Sequence, residues 1–80
     1  MKVAKERRLR RRARKARGAA RWASWMAIVD ATTEHGGQWP PEVQQRVVDS
    51  INALRRLQGR GEITLLTEVL GSDLFPERVP

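Results

Sequence analysis

The chain has no cysteine and a single histidine among its 80 residues, and both scarcities close off chemistry. Without thiols there is no disulfide framework, no thiolate metal site and no thiol redox couple, a composition suited to a reducing cytosol. The lone histidine, His35, precedes Gly36-Gly37 and reads as a helix-end residue rather than a general base or metal ligand. No apolar run nears the roughly 20 residues that span a bilayer, and the basic N-terminus lacks the apolar stretch and small-residue cleavage site of a secretory signal. No Walker A sequence, dinucleotide fingerprint, HExxH or nucleophile elbow occurs. Carboxylates such as Asp30, Glu34 and Asp49 are scattered over solvated faces. These absences lead to the expectation of a cytoplasmic, non-enzymatic protein without metal or cofactor.

What is present is positive charge, unevenly placed. Residues 1–21 carry eleven Lys or Arg against Glu6 alone, a net +10, whereas residues 22–80 carry five against eight Asp or Glu, a net −3. Such asymmetry divides the chain into a basic arm, 1–21, and a mildly acidic body, 22–80, with separate tasks. A chain this short buries only about 60% of its unfolded surface. With no disulfide to staple it, the body is expected to lean on close helix packing, a protein partner or a homodimer.

The residue pattern predicts an all-α fold: a small three-helix domain with a long, basic N-terminal helix. From Val3 to about Glu34 the sequence is rich in Ala and Arg, good helix formers, and has no proline. Trp22, Trp25, Met26 and Val29 fall on one face and are expected to pack into the body. His35-Gly36-Gly37 ends this helix, and Trp39 before Pro40-Pro41 is expected to act as a hydrophobic staple for the next. Pro41 suits a first turn, and Val43, Val47, Ile51, Leu54 and Leu57 form an apolar stripe that predicts a second helix to about Gln58. Gly59-Arg60-Gly61 reads as its terminating cap, with a turn cradling one phosphate as the alternative. Glu62–Leu70, EITLLTEVL, is read as a third helix closed by Gly71, despite its β-branched residues, because a lone strand would have no partner. Leu74-Phe75-Pro76 is expected to fold back as an apolar clasp before a frayed tail.

The segment KERRLRRRARKAR, residues 5–17, carries the function. On a helix, Arg7, Arg11, Arg14 and Arg21 line one side, Arg10 and Arg17 lie beside them, and Arg8, Arg12 and Lys15 spread onto the flanks. Positive charge then surrounds most of the helix, suited to a widened groove of structured RNA or to duplex DNA, with guanidinium forks on phosphates. The predominance of Arg over Lys suits planar recognition and stacking. Trp22 joins these candidates as a stacking platform for an unpaired base, with a core anchor as the competing role. Leu9, Ala13, Ala16, Ala20, Ala23 and Ala27 make a narrow seam that serves either helix propensity or a close-packed docking face.

Arg7-Arg8, Leu9, Arg10-Arg11, then Ala13 and Lys15, resemble the arginine-rich RNA-binding motif of phage antitermination proteins of the N type. In those proteins paired arginines, an interruption and further paired arginines precede alanine and lysine, and some carry a later tryptophan that stacks on a loop base. Trp22 would take that place, about one turn later than the motif has it. The resemblance covers about a quarter of the chain and implies hairpin RNA binding tied to transcription control in a bacterial or phage-infected cell. A DNA-binding helix-turn-helix is disfavoured, because EITLLTEVL offers no Arg, Lys, Asn or Gln to read purine edges. A small adaptor or inhibitor docking on a larger machine such as a polymerase, with the arm as a nonspecific anchor, is the alternative function.

Overall fold

The computed structural model describes residues 2–76, and among them the chain is all-α. Helix α1 spans Lys2–His35 and α2 spans Pro41–Leu57; a single 3-10 turn at Leu66–Glu68 precedes a short α3, Gly71–Leu74. The proline-terminated tail expected to fray, 77–80, lies outside the described residues. At about 1.5 Å per residue, 34 residues make a helix about 51 Å long. The molecule measures 52 × 26 × 22 Å, so α1 alone sets its length. The helix runs through Gly18 unbroken, the alanines and arginines around it offsetting the roughly 1 kcal/mol that an internal glycine costs.

Gly36 ends α1 with φ 63°, in the left-handed region that favours glycine, and its N–H donates to the Thr32 carbonyl at 2.8 Å. The connector is stitched by side chains: Trp39 Nε1 donates to the Gly36 carbonyl and Gln44 Nε2 to the Trp39 carbonyl, each at 2.8 Å. Trp39 is half-buried against the core at the start of α2, as the staple reading expects. Along α2, Val43, Val47, Val48, Ile51 and Leu54 are buried, whereas Leu57 is half-exposed at the helix end.

The face that α1 turns to α2 differs from the expected one. Trp22, Met26 and Val29 are exposed, and the buried positions are Ser24 and Ala31, with Ala27 and Ile28 packed against the core. Residues two apart on a helix lie about 200° from each other. The face selected is therefore opposite the bulky one. Small side chains allow the two helices to approach closely, and spacing between helices depends on the residues at the contact. Ser24 takes its place in that contact by donating to the Ala20 carbonyl at 3.2 Å. Trp25 lies on the flank, where its Nε1 donates to the Leu74 carbonyl at 2.6 Å and its ring meets Phe75 edge-on at 5.5 Å. The clasp of Leu74-Phe75-Pro76 thus forms, with Trp25 as its anchor.

The segment Glu62–Leu70 is not a helix. Asn52, buried on α2, gives its Nδ2–H to the Ile63 carbonyl at 2.9 Å and accepts the Ile63 N–H on Oδ1 at 2.8 Å. One side-chain amide thereby satisfies both backbone groups of a buried residue and removes the need for a helix there. Glu68 accepts the N–H groups of Thr64 and Leu65 at 2.8 and 2.7 Å, which caps the start of the single helical turn at Leu66–Glu68. Gly71 opens α3 rather than closing a longer helix. The candidate recognition helix of a helix-turn-helix is therefore missing from this segment.

Candidate nucleic-acid interface

Helix geometry distributes the candidate residues into two groups. Arg7, Arg8, Arg10, Arg11, Arg12, Arg14 and Lys15 are all exposed on the part of α1 that runs beyond most of the body. Arg17 and Arg21 are half-buried where the arm meets the body, and Trp22 follows them, 67% exposed and turned away from α2. Among the described residues none of these nine cations makes an ion pair; the pairs present are His35–Glu34, Arg55–Asp73, Arg56–Glu62 and Arg60–Asp73. From Arg7 to Arg21 the charges extend over about 21 Å of helix axis. That is the span of about six phosphates along one nucleic-acid strand.

Residues three and four apart on a helix are neighbours, so Arg7–Arg11, Arg8–Arg12, Arg10–Arg14, Arg11–Lys15 and Arg17–Arg21 are like-charge pairs. Each costs a few tenths of a kcal/mol. A polyanion alongside would reverse the sign of that contribution. Leu9, Ala13 and Ala16 leave a narrow uncharged strip, and further along the same seam Ala20 and Ala27 are half-buried by the body.

A second basic feature joins residues that the sequence leaves apart. Arg14, Arg17 and Arg21 of α1 and Arg60, in the turn after α2, line a groove of about 700 Å³ together with Leu57, Gln58, Ser72 and Pro76. Arg60 is held by Asp73, whose carboxylate is wholly buried: Arg60 Nη1 donates to Asp73 Oδ1 at 2.8 Å and to Gln58 Oε1 at 3.0 Å. Asp73 also takes both prongs of Arg55, Nε to Oδ1 at 2.9 Å and Nη2 to Oδ2 at 2.8 Å, and the Leu70 N–H at 2.8 Å. Burial acts to raise the Asp73 carboxyl, but the Arg55 hydrogen bonds, the Leu70 N–H and the charges of Arg55 and Arg60 outweigh it and hold it below the ordinary carboxylate range. Arg21 Nε is shielded from solvent and has no hydrogen-bond partner among the described residues. In sequence the glycine-flanked Arg60 reads as a helix cap, with a turn cradling one phosphate as the alternative, and only the fold brings it to the arginines of α1.

No family model, curated protein or solved structure matches this chain. Among the described residues no helix is long and apolar enough to cross a membrane.

Proposed function

We propose that this chain is a non-enzymatic nucleic-acid-binding protein whose arginine-rich helix grips structured RNA, in transcription antitermination or related regulation in a bacterial or phage-infected cell. One observation carries the reading: seven exposed cations, Arg7 to Lys15, crowd one continuous helix with no acidic partner among the described residues. An α-helix with its side chains is about 10–12 Å across, which suits a widened RNA groove as well as a DNA major groove. Structured RNA is favoured because charge surrounds most of the helix, as a groove that encloses it with phosphates would require. The resemblance to the N-type motif supports the same choice, and Trp22 is exposed where a base could stack.

A second reading, an adaptor or inhibitor docking on a larger machine such as a polymerase with the arm as a nonspecific anchor, is favoured by the exposed stripe of Trp22, Met26 and Val29 opposite the body. The two separate in a competition between a panel of RNA hairpins and matched duplex DNA. The RNA reading expects one hairpin class to be preferred and the preference to be lost when Arg10→Lys or Arg11→Lys removes the planar fork. Equal binding to every nucleic acid, unchanged by Arg→Lys, sinks that reading and leaves the adaptor.

A further inference from the structure

We propose that the groove between arm and body is a phosphate-binding site that takes a phosphate of the nucleic acid where its strand leaves the arm. The inference rests on the proposed nucleic-acid function and extends it from the arm to the body. Four arginines from two separate parts of the chain line this groove, Arg14, Arg17 and Arg21 from α1 and Arg60 from the turn after α2. Their mutual repulsion opposes the docking of α1 on the body, so an anion between them would tighten the fold as it binds. Asp73 offsets only part of this charge, because its one carboxylate is shared between both prongs of Arg55 and Arg60. The bond from Arg60 Nη1 also fixes one end of that guanidinium at the edge of the groove. Arg21 Nε is shielded from solvent, so an oxyanion in the groove would be met by the Nη end of its guanidinium.

A groove of about 700 Å³ is larger than one phosphate, and beside the arginines Gln58 and Ser72 supply neutral polar contacts, and Leu57 and Pro76 apolar ones, for the atoms next to it. The ligand is thus a phosphate carried on a larger molecule, either a backbone phosphodiester or a terminal phosphate of the strand held by the arm.

The test uses the full chain, with inorganic pyrophosphate as the first probe and the arginine Nε–H resonances as the readout. The expected result is that Arg17, Arg21 and Arg60 shift together along one saturable curve, while Arg8 and Arg12 shift slightly and without saturation. The thermal midpoint should rise with pyrophosphate. Arg17→Gln should weaken this binding on the order of tenfold, the effect of losing a charge-assisted contact, whereas Arg12→Gln, an equal loss of charge outside the groove, changes it by less than about twofold. Ser72→Glu, which puts a carboxylate in the groove without removing an arginine, should abolish it and serves if Arg17→Gln does not fold. Uniform shifts across all arginines, or equal losses in the Arg12 and Arg17 variants, would overturn the proposal.

Hairpin RNA bearing a 5′-phosphate or a 5′-hydroxyl then distinguishes the sources. A preference for the phosphate that Arg17→Gln removes assigns a terminal group, and equal affinity with an equal loss in the variant assigns the backbone. If the chain binds RNA but the Arg17 and Ser72 variants bind as well as Arg12→Gln, the groove proposal fails and the arm's function stands. Saturable pyrophosphate binding without any RNA affinity retains a phosphate site and removes the nucleic-acid reading.

Discussion

Asp73 ties together three parts of the chain through two oxygens: Arg55 near the end of α2, Arg60 in the turn beyond it, and the Leu70 N–H at the start of α3. Breaking a buried ion pair by removing one partner costs about 3–5 kcal/mol, because the other charge is left uncompensated. For a small domain that is a large share of total stability. Asp73→Asn is therefore expected to lower the thermal midpoint by at least 10 °C, on the order given by about 4–8 °C per kcal/mol; an unchanged midpoint would show the cluster to be dispensable. Because the folded-state Asp73 pKa is depressed, its stabilisation is complete above the ordinary carboxylate range and is lost as pH falls through that range to the lower folded value. Acid titration of the wild type should show this loss, and Asp73→Asn should lack it. Trp22 and Trp25 make a contrasting pair. Trp22→Ala is expected to leave the thermal midpoint unchanged and to weaken hairpin RNA binding by about 1–3 kcal/mol, one stacked base. Trp25→Ala should do the reverse, since Trp25 holds the Leu74 carbonyl and Phe75. A destabilised Trp22 variant with unchanged RNA binding would make Trp22 a core anchor.

At the scale of elements, α2 was readable because its large apolar residues recur on one stripe, and four of the five predicted positions are buried. The end of α1 was equally readable from Gly36, whose positive φ only glycine adopts cheaply. The buried face of α1 was not, because WASWMAIV is apolar on several sides and size does not decide which side faces a partner helix. The face buried against α2 carries Ser24, Ala27, Ile28 and Ala31, three of them small. Glu62–Leu70 was misread for a different reason. Its backbone is satisfied by Asn52, eleven residues away from Ile63, and no local pattern announces such a pairing. Asn52→Ala would strand the N–H and carbonyl of buried Ile63, at about 1–3 kcal/mol for each group. Hydrogen exchange should then show protection lost across 61–66 ahead of α1 and α2. Uniform loss across all three, or none, would contradict the role given to Asn52.

As a whole molecule, the protein is one long helix with a small body packed on its C-terminal half, the charge concentrated on the overhanging part. Its Cα radius of gyration, 14.8 Å, exceeds the roughly 12 Å of a compact chain of this length. The arm's cations were legible in sequence residue by residue, since exposure of Arg7 to Lys15 requires only a helix and few contacts. The groove was not, because Arg60 joins Arg14, Arg17 and Arg21 through tertiary packing and through a buried aspartate 13 residues further on. The central claim is that phosphate contacts along α1 supply the binding energy. Its most direct measurement is the affinity of the full chain for an RNA hairpin across a salt series. With six or more phosphates engaged, affinity should fall by about 10³ between roughly 50 and 200 mM salt. A variant carrying Arg8→Gln, Arg10→Gln, Arg11→Gln and Arg12→Gln should show a correspondingly shallower slope. Absence of binding at low salt, or binding that salt and the four substitutions leave unchanged, would contradict the account.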